Sequence, residues 1–368
     1  MGKEIREIEE LGYDDFFDSS RVELGLEDFG VARVIAQQKG SYRVKNVNGE
    51  YRARITGKQR FAARSKEDYP VVGDWVAVSL IDEENVLVRG ILPRKTILKR
   101  KSGDKDRIGE KTETQIIATN IDTAFIVEAV DRDYSLNRLE RYLTIARDGG
   151  VKPAVILNKI DLISKEELNQ RVMEIKNRLG EIPVILTSTK TGQGLDELES
   201  HIEKGKTYCF LGSSGVGKST LINKLLGEEI IKTGDIGSHS GRGKHVTTSR
   251  EMYFLARGGM VIDNPGVREV GMTDATLGID NLFDEITTLA KNCKFIDCTH
   301  THEPDCAVLA SLGAGFLDEN KYSNYMNLKK EAEHYEASKI EKREKVRQFG
   351  KFINKAKKEL RKAGHKDF

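Results

Sequence analysis

No apolar run in the 368 residues approaches the ~18 needed to span a bilayer, which argues against a membrane role. A signal-peptide core is missing too. The start, MGKEIREIEELGYDDFF, is acidic, and a cytoplasmic protein is expected. Met1-Gly2 lacks the rest of a myristoylation signal, because Arg6 stands where Ser or Thr is required. Cysteine is scarce, at four residues. Cys209 stands alone in an apolar stretch, whereas Cys293, Cys298 and Cys306 cluster, a pattern that points to metal rather than to disulfides. There is no internal repeat and no long coiled coil, so a monomer is expected. Net charge is nearly absent at +2, but the charges are segregated. Residues 1–28 hold 3 basic and 10 acidic residues, 29–112 hold 19 and 10, and 321–368 hold 15 and 7. Two basic regions around an acidic middle suggest contact with a polyanion such as RNA.

Residues 3–18 read as an acidic helix or a mobile tail. From 29 to 100 the pattern is short β segments: GVARVIAQ, SYRVKNV, YRARITG, DWVAVSL and NVLVRGIL. Turn residues such as Asn48-Gly49 separate them. Five short strands predict a small β-barrel, an OB-fold in first place and an SH3-like barrel in second. Its basic excess reads as an RNA platform. KRKSGDKDRIGEKT, 99–112, reads as a polar linker. Strands and helices then alternate, which predicts a parallel α/β sheet with ligands at the strands' carboxyl ends. MYFLARGGMVIDNPG reads as a hairpin. Beyond 321 the chain is helical and basic, with Val346, Phe349, Ile353, Ala356 and Leu360 on one apolar stripe.

YCFLGSSGVGKSTL carries a phosphate-binding loop, G-x-x-x-x-G-K-[ST], between strand and helix. Gly212, Ser213, Ser214, Gly215, Val216 and Gly217 would close around phosphate oxygens. Lys218 would neutralise the β- and γ-phosphates, Thr220 would lie in the same first turn, and Ser219 would ligate Mg²⁺. Upstream, VILNKID ends a strand in Asn158, Lys159 and Asp161. Asp161 would accept from guanine N1 and N2, which adenine cannot offer. Asn158 would brace the loop and reach N7, and the stem of Lys159 would cover the base. LTSTKTGQG ends another strand, and Ser188 with Thr189 and Lys190 would support the base. GTP is therefore the expected nucleotide. An Asp-x-x-Gly follows at Asp263–Gly266. In most GTPases the guanine-reading elements come after the phosphate loop, whereas here they precede it. The expected domain is a circularly permuted GTPase over 113–280.

GSSGVGKSTLIN, GRGKHVTTS, DNPGVRE and CKFIDCTHTHEPDCAV occur in that order behind a β-barrel. On these residues, over about 29–320, the chain resembles the bacterial ribosome-small-subunit-dependent GTPase family. The resemblance implies three parts: an OB-fold at 29–100, the permuted GTPase domain, and a zinc-binding domain with a basic helical tail at 281–368. It implies binding to the small ribosomal subunit and its rRNA late in maturation, with subunit-stimulated hydrolysis of GTP to GDP. The family carries glycine where Asp305 stands, a departure that bears on the zinc loop's backbone.

GDIGSHSGRGKHVTTS is polar and glycine-rich, like a switch. Thr247 or Thr248 would reach Mg²⁺ and the γ-phosphate, and the family register favours Thr247. Asp263 would hold the Mg²⁺ shell, and Gly266 would offer its N–H to the γ-phosphate. Many GTPases place a water-orienting Gln after that glycine; here it is Val267. Unassisted hydrolysis should be slow, and His245 is the candidate to position the water. In Cys293-x4-Cys298-x-His300-x5-Cys306, three thiolates and one imidazole suit a structural Zn²⁺. Spacing alone permits His300 or His302; the resemblance selects His300. The rival readings are a GTP-dependent rRNA-binding scaffold with little turnover and, more distantly, a P-loop kinase.

Overall fold

The computed structural model describes residues 7–38, 41–102, 113–131, 134–231, 250–263 and 276–333. Strands β1 (Gly30–Gln38), β2 (Ser41–Asn46), β3 (Gly49–Ile55), β4 (Trp75–Leu80) and β5 (Asn85–Ile91) form a barrel. The order β1-β2-β3-β5-β4 closes by pairing β4 back to β1, and β3 runs parallel to β5. This is the OB arrangement. The side chain of Asn46 accepts from the Asn48 and Gly49 amides, making the tight β2–β3 turn. In β2, Tyr42 and Val44 are buried and Arg43 is exposed, the alternation of a strand with one wet face. The β3–β4 connection holds helix α2 (Gly57–Ala62), and before the barrel lies α1 (Asp15–Glu23).

The acidic N-terminal stretch is part of the folded body from residue 7. Leu11, Tyr13 and Phe17 are buried against Trp75 and Leu92. Burying Phe17 is worth about 2–3 kcal/mol, which explains why a segment of such charge docks. Residues 99–102, expected as the start of the linker, instead belong to strand β6 (Ile97–Ser102), paired antiparallel with β7 (Glu113–Thr119). The local run of Lys99, Arg100 and Lys101 hides a strand whose partner lies beyond 112, and Leu98 on it is fully buried.

The second half of the sheet is parallel. It contains β8 (Thr123–Ala129), β9 (Lys152–Asn158), β10 (Val184–Leu186), β11 (Thr207–Leu211) and β13 (Met260–Asp263), in the order β10-β9-β8-β11-β13. These strands are nearly continuous apolar runs, as strands covered on both faces require. Helices α3 (Leu136–Asp148) and α4 (Lys165–Leu179) cover one face, and α5 (Leu195–Ser200) and α6 (Lys218–Leu226) the other. Strand β12 (Arg250–Phe254) forms the expected hairpin with β13 and also pairs with β1, at Ala36↔Glu251 and Gln37↔Arg250. Barrel and α/β sheet are thus one continuous ladder.

Arg33, fully buried, reinforces this junction. It donates to the carbonyls of Asn120 (3.0 Å), Leu11 (2.5 Å) and Gly73 (3.4 Å), joining N-terminal segment, barrel and sheet. Burial without a carboxylate in contact lowers its pKa to about 10. The C-terminal part packs on the α3 face. It comprises α7 (Thr276–Leu282), α8 (Asp284–Ala290), α9 (Ala307–Gly313) and a helix over 319–333. Glu140 of α3, wholly buried, binds Arg178 of α4 through both oxygens (2.8 Å each) and accepts from Asn324. No helix among the described residues is long and apolar enough to cross a membrane.

Candidate functional site

The carboxyl ends of β8, β9, β10 and β11 meet, and the sequence motifs meet with them. β11 runs into the loop 212–217, and α6 begins at Lys218 with its amides facing that loop. Gly212, Gly215 and Gly217 all have left-handed φ, at 145°, 82° and 100°. A Cβ on Gly212 would sit 2.3 Å from the Val127 carbonyl, and one on Gly217 would sit 2.2 Å from Asn158 Nδ2. Only glycine allows this closeness.

Asn158 is fully buried, donates from Nδ2 to the Val216 carbonyl (2.8 Å) and accepts from Thr187 Oγ1 (3.1 Å). The end of β9 is therefore clamped onto the phosphate loop. Lys159 takes a left-handed φ of 63°, and its Nζ meets Asp131 Oδ2 at 2.7 Å. This sends its stem along the rim of the site instead of into the core. Asp161 accepts from Ser188 Oγ (2.5 Å), and Ser188 Oγ in turn accepts from the Thr191 amide (3.1 Å). β10 pairs with β9 in register, Leu186↔Leu157, which sets Ser188 beside Asp161. Lys218 Nζ donates to the Gly212 carbonyl (2.8 Å) and the Ser213 carbonyl (2.5 Å). Burial raises the Tyr142 phenol of α3, with Ser213 nearby pulling the other way. Ser214 lies in the same loop, and Ser219 and Thr220 are half-buried in the first turn of α6. Asp263 ends β13, which lies parallel to β11. His245, Thr247, Gly266 and Val267 lie outside the described residues, as does the apolar stripe of the tail.

Sequence reading did not single out Asp131 or Thr187. Asp131 lies two residues beyond the end of β8, the strand next to β9, and Thr187 directly precedes Ser188, so strand neighbourhood is the signal that would have found both.

The four C-terminal ligand candidates also converge. The ligand atoms of Cys293, Cys298, His300 and Cys306 lie within 4.8 Å of one another. Cys293 Sγ stands 3.8 Å from Cys306 Sγ, and His300 Nδ1 stands 3.6 and 3.5 Å from these two sulfurs. A tetrahedron with metal–sulfur bonds of about 2.3 Å and a metal–nitrogen bond of about 2.0 Å has edges of about 3.8 and 3.5 Å. The residues therefore fit a four-coordinate ion. His300 is buried and its carbonyl accepts from Tyr322 Oη (2.7 Å). His302 is exposed and turned to Thr301 Oγ1 (2.8 Å). Asp305 has φ 59°, the conformation that glycine adopts freely and that aspartate tolerates better than most residues. Glu303 fastens the loop by accepting from the Thr299 hydroxyl and the amides of Thr299 and Thr301, which holds its carboxyl far below the usual range.

The RsgA GTPase family model matches residues 91–273. The small ribosomal subunit biogenesis GTPase RsgA 2 of Lactiplantibacillus plantarum is 41% identical over 301 residues, covering 82% of this chain and 83% of that protein. The chain belongs to the RsgA GTPase family. RsgA 1 of Bacteroides thetaiotaomicron is 36% identical across 97% of this chain and 99% of its own length. Among solved structures, YjeQ from Thermotoga maritima matches with a TM-score of 0.60 at 24% identity, over 82% of this chain and 98% of its own. YloQ, a circularly permuted GTPase, matches at 0.59 and 22%, over 83% and 96%. These two carry the fold: OB barrel, then permuted GTPase sheet. As an RsgA GTPase the chain is a GTP hydrolase.

Proposed function

We infer that this GTPase serves the biogenesis of the small ribosomal subunit. It binds the subunit and its rRNA in the GTP state, hydrolyses GTP to GDP and phosphate when the subunit stimulates it, and then dissociates. The names of its relatives support the subunit as partner. The observation that carries the nucleotide chemistry is the clamp of Asn158 on the phosphate loop at Val216 and Gly217. It joins base reading to phosphate reading in one rigid edge.

On this reading the amides of 212–217 and the first turn of α6 hold the phosphates, with Lys218 leaving its carbonyl partners for the β- and γ-oxygens. Asp161, oriented by Ser188, reads guanine N1 and N2. Lys159, drawn aside by Asp131, lays its stem over the base. The second amide hydrogen of Asn158 reaches N7. Ser219, Thr247 and Asp263 hold Mg²⁺, which neutralises charge building on the phosphates. Gly266 offers its amide to the γ-phosphate, and His245 positions the attacking water. The ion held by Cys293, Cys298, His300 and Cys306 is Zn²⁺, as thiolates with one imidazole favour. With all four positions filled by protein, its role is structural. The protein works as a cytoplasmic monomer, with barrel and basic tail against rRNA.

The test is GTP hydrolysis by the purified chain alone, with small subunits, with large subunits and with free RNA. Stimulation by small subunits alone is the expected result. Tight subunit binding without stimulation would replace the enzyme reading with the scaffold, for which Val267, unable to orient water, is the favouring residue.

A further inference from the structure

From Arg52 to Arg64 the chain carries five basic residues and no acidic one. Strand β3 leads there into Thr56, whose hydroxyl accepts from the Gln59 amide (3.1 Å) while Gln59 Oε1 accepts from the Thr56 amide (2.9 Å). This reciprocal cap fixes the start of the short helix α2. Phe61 stands on α2 at 93% exposure, the most exposed aromatic ring among the described residues. A helical side chain leans over the residues three and four before it, here Lys58 and Gly57. A Cβ built on Gly57 would meet nothing within 4 Å, so the ring has open room beside a cation.

Lys58, Arg60 and Arg64 are exposed, and none of them has an ion-pair partner among the described residues. The acids that follow are engaged. Asp68 accepts from the amides of Arg64 (2.8 Å) and Ser65 (2.9 Å), and Glu67 pairs with Lys99 (3.3 Å). On β3, Arg52 and Arg54 face outward on either side of buried Ala53, about 6.6 Å apart along the strand. That spacing suits successive phosphates of an extended single strand. Three other exposed rings differ. Phe16, Phe254 and Phe295 each have a lysine over the ring, but Lys95, Lys45 and Lys294 are paired with Asp14, Glu50 and Asp305. Around Phe61 the cations are unspent. A basic protein would be repelled here, and a bare anion needs no ring. An unpaired base joined to phosphates uses both.

We propose that Phe61 stacks on one unpaired base of single-stranded RNA, with Lys58 and Arg64 on the flanking phosphates and Arg52 and Arg54 along the strand that leads to it. The choice of ribosomal RNA rests on the reading above and sharpens it. The cations hold any RNA backbone, and Phe61 makes the barrel select unpaired segments over paired ones.

The test titrates the full chain, with excess GDP and Mg²⁺ filling the nucleotide site, against a short labelled single-stranded RNA read by anisotropy. Parent binding is expected, with a duplex of the same sequence competing poorly. Phe61→Ala and Phe61→Leu should each weaken binding about tenfold, with the salt dependence unchanged because the ring carries no charge. Phe61→Trp should stay within about twofold. The chain's single tryptophan, Trp75, is fully buried, so the added emission reports on this position and RNA should quench it. Lys58→Ala should lower the salt dependence by about one phosphate contact. All these changes fall at exposed positions, so the melting temperature should not move. No binding by the parent, equal competition by the duplex, or parent-like RNA binding by Phe61→Ala or Phe61→Leu overturns the proposal. So does loss of small-subunit binding by Phe61→Ala with RNA binding intact, which would give the ring a protein partner. Co-sedimentation of the parent with small subunits is scored separately. Its failure sinks the ribosomal reading and leaves the stacking result to stand.

Discussion

At the nucleotide site, Asn158, Thr187 and Ser188 are fully buried, and the side chains of Asn158 and Thr187 satisfy each other. Behind them stand Ile156, Leu157 and Leu211, also fully buried. Around the metal cluster, Ile296 is fully exposed, Phe316 largely so and Phe295 in part. The loop 293–306 relies on Glu303 and on left-handed His300 and Asp305 for its course. One site is assembled by a sheet and its core, before any ligand arrives. The other has thiols and an imidazole gathered at metal-bond spacing on a loop without strand or long helix, its Cys298, His300 and Cys306 buried beside Val308 and Leu317. Hydrophobic burial sets the geometry of the first, and ligation must set that of the second.

Metal removal should separate them most strongly. A structural Zn²⁺ contributes an apparent ~10–16 kcal/mol to the fold it closes. Stripping with a zinc chelator, or Cys306→Ser, should take zinc from one per chain to none and open 293–333 to protease. Guanine-nucleotide binding by the sheet, measured after Mg²⁺ is restored, should persist; joint loss of both would show that the two sites are not independently held. Next in size is Asp161→Asn. A site built to hydrogen-bond a ligand group discriminates by several orders of magnitude. The exchange should turn preference from guanine to xanthine by about 10³, and unchanged preference in competition binding would remove Asp161 from base reading. Gly217→Ala should follow. Its Cβ would meet Asn158 Nδ2 at 2.2 Å with φ at 100°. The strain and the broken Asn158 bonds together come to about 3 kcal/mol, or about 100-fold in GTP affinity, with zinc content unchanged. Parent-like affinity would mean that the loop does not depend on the clamp.

Much of this was readable from the sequence because local chemistry and tertiary structure agree there. Barrel strands such as β2 and β5 alternate beside Asx turns, and the sheet strands are apolar runs ending in motif residues. What could not be read depended on distant partners. β6 hides in a lysine-rich run because its pairing crosses to 113–119. The N-terminal segment reads as acidic, yet Tyr13 and Phe17 dock it on Trp75. Arg33 resembles any basic barrel residue until three carbonyls surround it. Asp131 carries no motif and is defined only by Lys159 across the strand ends. Asp305 runs the other way: as a departure from a family glycine it marked the position whose φ is left-handed.

The smallest expected effect is also the simplest readout of the contrast, because one cysteine belongs to the sheet and three to the loop. Cys209 lies in β11, fully buried between neighbouring strands, and burial pushes its thiol far above the usual value. A raised thiol pKa leaves almost no thiolate at neutral or mildly alkaline pH, and the thiolate is what alkylates. Cys209 should therefore stay unmodified in the native chain from pH 7 to 9, with or without metal. Cys293, Cys298 and Cys306 should be protected by the ion and become reactive when it is removed. Mass spectrometry after alkylation should count no labels on the metal-loaded chain, three after chelation, and the fourth only in denaturant. A fourth label upon chelation alone would mean that the sheet loosens when the loop does, and that the core holding the nucleotide site is not independent of the ion.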